Sequence, residues 1–234
     1  TYLTSIQTYL KWENSEFIFK ERFIRNSLNV FARIITEENT PEQDSLLSEI
    51  ENTPLDDLPT VSRNAILGVN MGANKTDNLL FPTEGYRLSI LLEDGNSIPY
   101  LASEIGKYNF KDPAYYKVVV STSLFLPVYD SKTSALGLKF KVGHIQAYKG
   151  LQSNISLNQR FSSGGSNSIR GWNALELVPE FTTDNVQDLL NLQNFTLQDF
   201  NSLFSRGLTP GGFFNFEGSI ETRNRITEAF GTAL

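Results

Sequence analysis

At 234 residues the chain is long enough to form a single all-β domain, and its profile of 40% hydrophobic residues and 12% aromatics, with Phe 17 and Tyr 9, favours strands. Cys 0 excludes disulfides and thiolate chemistry, and His 1 leaves His144 without an imidazole partner for a metal site or a triad. A net charge of -6 and a pI near 4.9 argue against nucleic acid as a partner.

From the start of the chain, Thr1 opens without a charged and apolar leader, so the expectation is a chain that begins inside a longer protein. Two somewhat irregular strands are expected within residues 2–36. An acidic loop follows at 36–61, where Glu37, Glu38, Glu42, Asp44, Glu49, Glu51, Asp56 and Asp57 stand with no Lys or Arg, leaving the rest of the chain about +2. Leu46, Leu47, Ile50 and Leu55 suggest a short helical cover inside it. Strands are expected over Ala65 to Met71 and Tyr86 to Leu92, the second with Arg87 and Ser89 inward, joined by a compact turn near 72–84. A polar loop at 93–114 comes next.

The alternation is clearest after that loop. Tyr116, Val118, Val120, Thr122, Leu124 and Leu126 share one face of a strand, and Lys117, Val119, Ser121, Ser123 and Phe125 the other. Past a turn at 127–134, Leu136, Leu138, Phe140 and Val142 alternate with Gly137, Lys139, Lys141 and Gly143. A long loop at 147–210 holds a capped amphipathic helix, from Thr196 through Leu197, Phe200, Leu203 and Phe204 to Gly207. The strand at 213–223 places Phe214, Phe216, Gly218 and Ile220 on one face and Asn215, Glu217, Ser219, Glu221 and Arg223 on the other. After a turn at 224–227, Ala229 to Leu234 start another strand.

About eight strands result, each near the 9 to 11 residues that cross a bilayer at a tilt. No stretch approaches the roughly 18 apolar residues of a membrane helix, because the runs at Val118–Val120 and Leu124–Val128 are broken by Ser, Thr and Pro. Periodicity alone leaves two readings open. The apolar face is the core of a soluble sandwich, or it faces lipid and the lysines line a wet lumen. Short turns alternating with long loops suit the membrane barrel.

Three segments carry a resemblance. RFSSGGSNSIRGW at 160–172, TDNLLFPTEGYRLSI at 76–90 and TPGGFFNFEGSIETR at 209–223 stand in the order and at the spacing of motifs in the outer-membrane barrel-assembly superfamily, the BamA- and TamA-like surface antigen barrels. The resemblance implies an antiparallel transmembrane β-barrel of about sixteen strands, of which this chain supplies roughly half as part of a single barrel domain. It also implies that the loop at 147–210 folds back into the lumen. Its tip, Ile169, Arg170, Gly171 and Trp172, would follow the bends at Gly164 and Gly165. Arg170 would be held by a carboxylate on the wall, Glu221 first or Glu217, because a guanidinium fork suits a bidentate carboxylate. Asp77, Pro82 and Gly85 would form a periplasmic turn.

Enzyme motifs fare badly. Gly164-Gly165-Ser166-Asn167-Ser168 lacks the spacing and the strand-to-helix elbow of a nucleophile motif, and no phosphate loop or metal cluster appears, so neither catalysis nor a cofactor is expected. The resemblance implies a factor in the outer membrane of a Gram-negative-type bacterium that inserts β-barrel proteins. Its partners would be the lipid bilayer, unfolded barrel clients and accessory assembly subunits. A polypeptide transporter of the same superfamily is the first alternative, and a soluble β-sandwich binding module the second.

Overall fold

The computed structural model describes residues 2–18, 22–38, 61–107, 110–128, 133–156, 158–162, 164, 211–225 and 231–233. They form eight strands: β1 Tyr2–Ile18, β2 Arg22–Glu38, β3 Val61–Thr76, β4 Gly85–Gly95, β5 Ala114–Pro127, β6 Ser134–Lys149, β7 Phe214–Arg225 and the short β8 Gly231–Ala233. All belong to one sheet in chain order, each strand antiparallel to the next, with β1 and β8 at its open edges. The strands turn at one end through 19–21, 77–84, 128–133 and 226–230, and at the other through 39–60, 96–113 and 150–213. Short and long connections are therefore segregated to opposite ends, as in membrane barrels.

The register sorts side chains into rows of opposite character. One row runs Trp12, Leu28, Met71, Ile90, Val120, Val142, Phe216 across seven strands. The next runs Glu13, Ser27, Gly72, Ser89, Ser121, Lys141, Glu217. Because successive residues point to opposite faces, the two rows cannot share an environment. The apolar row is the exposed one: Trp12 is 57% exposed and Phe216 62%, whereas Glu217 is 8% exposed. A soluble sandwich would bury the first row and wet the second. A face so uniformly apolar, left open across the whole sheet, is what a hydrocarbon solvent selects.

The strands from β1 to β7 hold 11 to 17 residues, longer than expected from the sequence. At about 3.3 Å per residue and a tilt of about 45°, the 14 residues of β5 rise about 33 Å, enough to cross the hydrocarbon and reach past it. The strands begun at Ala65 and ended at Met71 on the sequence pattern extend to Val61 and Thr76, because β2 and β4 pair along that whole length. Inside the expected polar loop lies a helix, α1, Ser97–Gly106. Pro99 falls in its first turn, where a missing N–H costs nothing, and Lys107 closes it in the left-handed region with φ 55. The short helical segments expected near 46–55 and 196–207 lie outside the described residues.

Candidate functional site

The inner face is polar and cross-linked. Arg33 on β2 donates to Glu93 on β4 at 2.9 Å across the intervening β3, and the Glu93 side chain is 4% exposed. Lys141 pairs with Glu217 at 3.4 Å, and Arg223 with Glu221 at 3.1 Å. The guanidiniums of Arg87 and Arg223 flank the Phe125 ring at 5.4 and 4.9 Å. Such pairing is what keeps charges on a partly desolvated wall.

Three aromatic rings lie flat over glycines of this face. A Cβ on Gly68 would sit 2.2 Å from the Phe31 ring, on Gly95 2.3 Å from Tyr115, and on Gly143 2.5 Å from Phe161. A strand glycine whose missing side chain admits a neighbour is a packing device, not a weak point in the strand. The Phe31 and Tyr115 pairs join neighbouring strands. The third pair is different, because Phe161 belongs to the long loop between β6 and β7.

That contact fixes where the loop starts and returns. Phe161 and Gly212 exchange two main-chain hydrogen bonds, Phe161 N–H to Gly212 at 2.8 Å and Gly212 N–H to Phe161 at 2.7 Å. Lys117, inward on β5, donates to the carbonyl of Gln159 at 2.7 Å and sits 4.9 Å from the Phe161 ring. Beneath the ring, Tyr115, Ile145 and Ile155 complete a small buried cluster. Gln152 extends the clasp, its side chain accepting from the Ala147 amide and donating to the Ile145 carbonyl. Both ends of the loop are thus pinned to the inner wall. Gly211, with φ +61, has no room for a Cβ, which would lie 2.9 Å from Cβ of Arg160.

The turn at 77–84 is built around two side chains. Asp77 accepts from the amides of Thr83 at 2.9 Å and Glu84 at 3.0 Å and is hydrogen-bonded to the Thr83 hydroxyl. Asn78 accepts from the amides of Leu80 and Phe81. Pro82 is fully buried, and Gly85 adopts φ 112, with a Cβ there only 2.0 Å from the Lys75 carbonyl. Arg87 reaches from the inner wall to the Leu79 carbonyl at 3.0 Å, so the turn is tied toward the lumen side.

Of the residues singled out from the sequence, Asp77, Pro82 and Gly85 meet in one turn, and Glu217 and Glu221 share the inner face of β7. Gly164 takes φ 116, a bend open to glycine. Ile169, Arg170, Gly171, Trp172 and Gly165 lie outside the described residues. Sequence reasoning put Lys117 on the polar side of its strand without a partner, gave Phe161 no role inside its motif, and passed over Glu93. The one available signal for Phe161 was an aromatic just before a Gly-Gly pair, with a glycine inward at Gly143.

Among the described residues no helix is long and apolar enough to cross a membrane, and no group of acidic or histidine side chains is placed to hold a metal ion. An apolar outer face, a charged inner wall and segregated loops define the sheet of a transmembrane β-barrel. The Omp85 superfamily domain model matches residues 8–234, and the chain belongs to that superfamily. No curated protein matches it. Members of the superfamily insert or transport proteins at the outer membranes of bacteria or the equivalent organellar membranes, and they are not enzymes.

Proposed function

We propose that the chain is part of the barrel of an assembly factor that inserts β-barrel clients into the outer membrane of a Gram-negative-type bacterium. The observation that carries this reading is the clasped loop root: Phe161, Gln159 and Gly212 are held on the inner wall, so the described ends of the loop both start from the lumen side. In this reading Arg170 docks on Glu221. A carboxylate offers about four acceptor sites, so the bond from Arg223 leaves capacity for a second guanidinium. The loop acts as a strut that holds the wall in register while a client strand pairs nearby. The client's own folding supplies the free energy, and accessory subunits deliver it.

The test is client insertion into liposomes by the full protein carrying Arg170→Ala. Insertion falls while the strand content by circular dichroism stays as in the wild type. Unchanged insertion sinks the strut. Large single-channel conductance with secretion of a dedicated polypeptide, and no client insertion, assigns the protein to the transporters of the superfamily instead.

A further inference from the structure

The helix α1 presents an apolar stripe with no protein against it among the described residues. Ile98, Leu101 and Ile105 are 56%, 60% and 76% exposed, and with Ala102 they fall at the i, i+3, i+4, i+7 spacing of one helix face. The opposite face is the anchored one. Ser103 is buried, Tyr100 stacks edge-on against Phe110, and Lys149 at the end of β6 pairs with Glu104 and lies 4.7 Å from the Tyr100 ring.

The height of the helix is set by its first residues. Asn96 is fully buried in the left-handed region, φ 68; its amide donates to the Ala65 carbonyl, its side-chain oxygen accepts from the Ala65 amide, and its side-chain nitrogen donates to Oδ1 of Asn64 and to the main-chain carbonyl of Pro113. The chain therefore leaves the sheet at the level of Ala65, while β2 and β3 continue past it to Glu38 and Val61. On the outer face of β4 to β6 this is where the aliphatic belt ends, although Leu67, Ile34 and Ile6 carry it further on β3, β2 and β1. Val69, Leu92 and Val118 share a row with His144, and the next holds Leu67, Asp94, Tyr116 and Gln146. Tyr148, one step higher and also outward, bonds Asp94 at 2.8 Å and the Ser97 hydroxyl at the start of the helix. Tyrosines at the rim of an apolar belt mark the headgroup level of a bilayer.

We propose that α1 is an interfacial helix whose Ile98, Leu101 and Ile105 lie in the boundary between headgroups and acyl chains of the leaflet on the long-loop side. Tyr148 and Asp94 tie the start of the helix to the rim of the lipid-facing belt, and Lys107 and Lys111 follow it as exposed cations suited to anionic headgroups. The occupant is lipid, not a second protein. The inference needs only the membrane barrel and holds equally for insertion or transport.

The chain has Cys 0, so, with any cysteine outside it replaced, spin labels can be placed singly at Leu101, Ile105, Glu104 and Val142 in the full protein, reconstituted in phosphatidylethanolamine and phosphatidylglycerol vesicles. Correct folding is checked by heat-modifiable mobility. The expected result is that labels at Leu101 and Ile105 collide freely with oxygen and poorly with a water-soluble nickel chelate. Their depth should lie between that at Val142 and that at Glu104. High nickel accessibility at Leu101 and Ile105, equal to that at Glu104, overturns the proposal. Protection from both reagents overturns it too, because it means a protein covers the stripe.

Discussion

Removing the ring that clasps the long loop gives the sharpest local test. In Phe161→Ala a side chain 7% exposed is deleted from contact with Gly143, Tyr115, Ile145 and Ile155. Core Phe→Ala changes cost about 3–5 kcal/mol, and the lost cation–π contact with Lys117 adds about 0.5–1 kcal/mol. Taking about 3 kcal/mol as the lower bound, with a factor of ten for about every 1.36 kcal/mol, local opening of the root should rise by at least about 100-fold. The sheet itself keeps its ladder. Amide hydrogen exchange reads this directly: the Gly212 amide, bonded to the Phe161 carbonyl, and the Ile145 amide, bonded to Phe213, should lose protection, while amides of β3 and β4 do not. Gly143→Ala should do nearly the same, since its Cβ displaces the ring, and it should add little in the Phe161→Ala background. Unchanged protection of Gly212 in Phe161→Ala, or full additivity of the two changes, refutes the clasp.

Other consequences follow from single groups. Glu93→Gln leaves Arg33 on the wall without its carboxylate, and breaking a pair this buried should lower stability by about 3 kcal/mol, measured by urea unfolding in lipid vesicles. Asp77→Ala removes the acceptor for two amides and a hydroxyl in the turn before β4, and should destabilise by about 2 kcal/mol with loss of protection confined to the Thr83 and Glu84 amides. Burial raises the Asp112 carboxyl above the ordinary value, opposed by a bond from the Arg63 main chain and by its charge. The folded state then holds this proton to higher pH than the unfolded state. Stability falls as pH rises from about 3.8 through the raised value, so thermal unfolding of Asp112→Asn should gain on the wild type as pH climbs from 4 to 7.

The faces of the strands were legible because period-two alternation depends only on which side is wet. Lys117, Ser121 and Glu217 could be assigned inward without knowing any partner, and strand lengths fell short only where polar residues such as Arg63 and Lys75 continue the ladder beyond the belt. The sequence pattern left the sandwich and the barrel open. The exposure of Trp12, Leu28 and Phe216 separates them. The helix α1 escaped because a ten-residue segment opening with Ser-Ile-Pro resembles a loop, and its buried cap, Asn96, is held by residues 32 and 17 positions away. The Phe161 clasp escaped for a similar reason: a ring and a glycine 18 residues apart in the chain become partners only when the loop turns inward.

The central claim is that one face of each strand meets lipid and the other a water-filled lumen. Val120 and Ser121 are adjacent residues on β5 that the register sends to opposite faces, in the apolar and polar rows. Single cysteines at the two positions, probed with a small membrane-impermeant maleimide in sealed vesicles, test the claim directly. Reaction at Ser121 with protection at Val120 is the expected result, and reaction at Val120 with protection at Ser121 contradicts it.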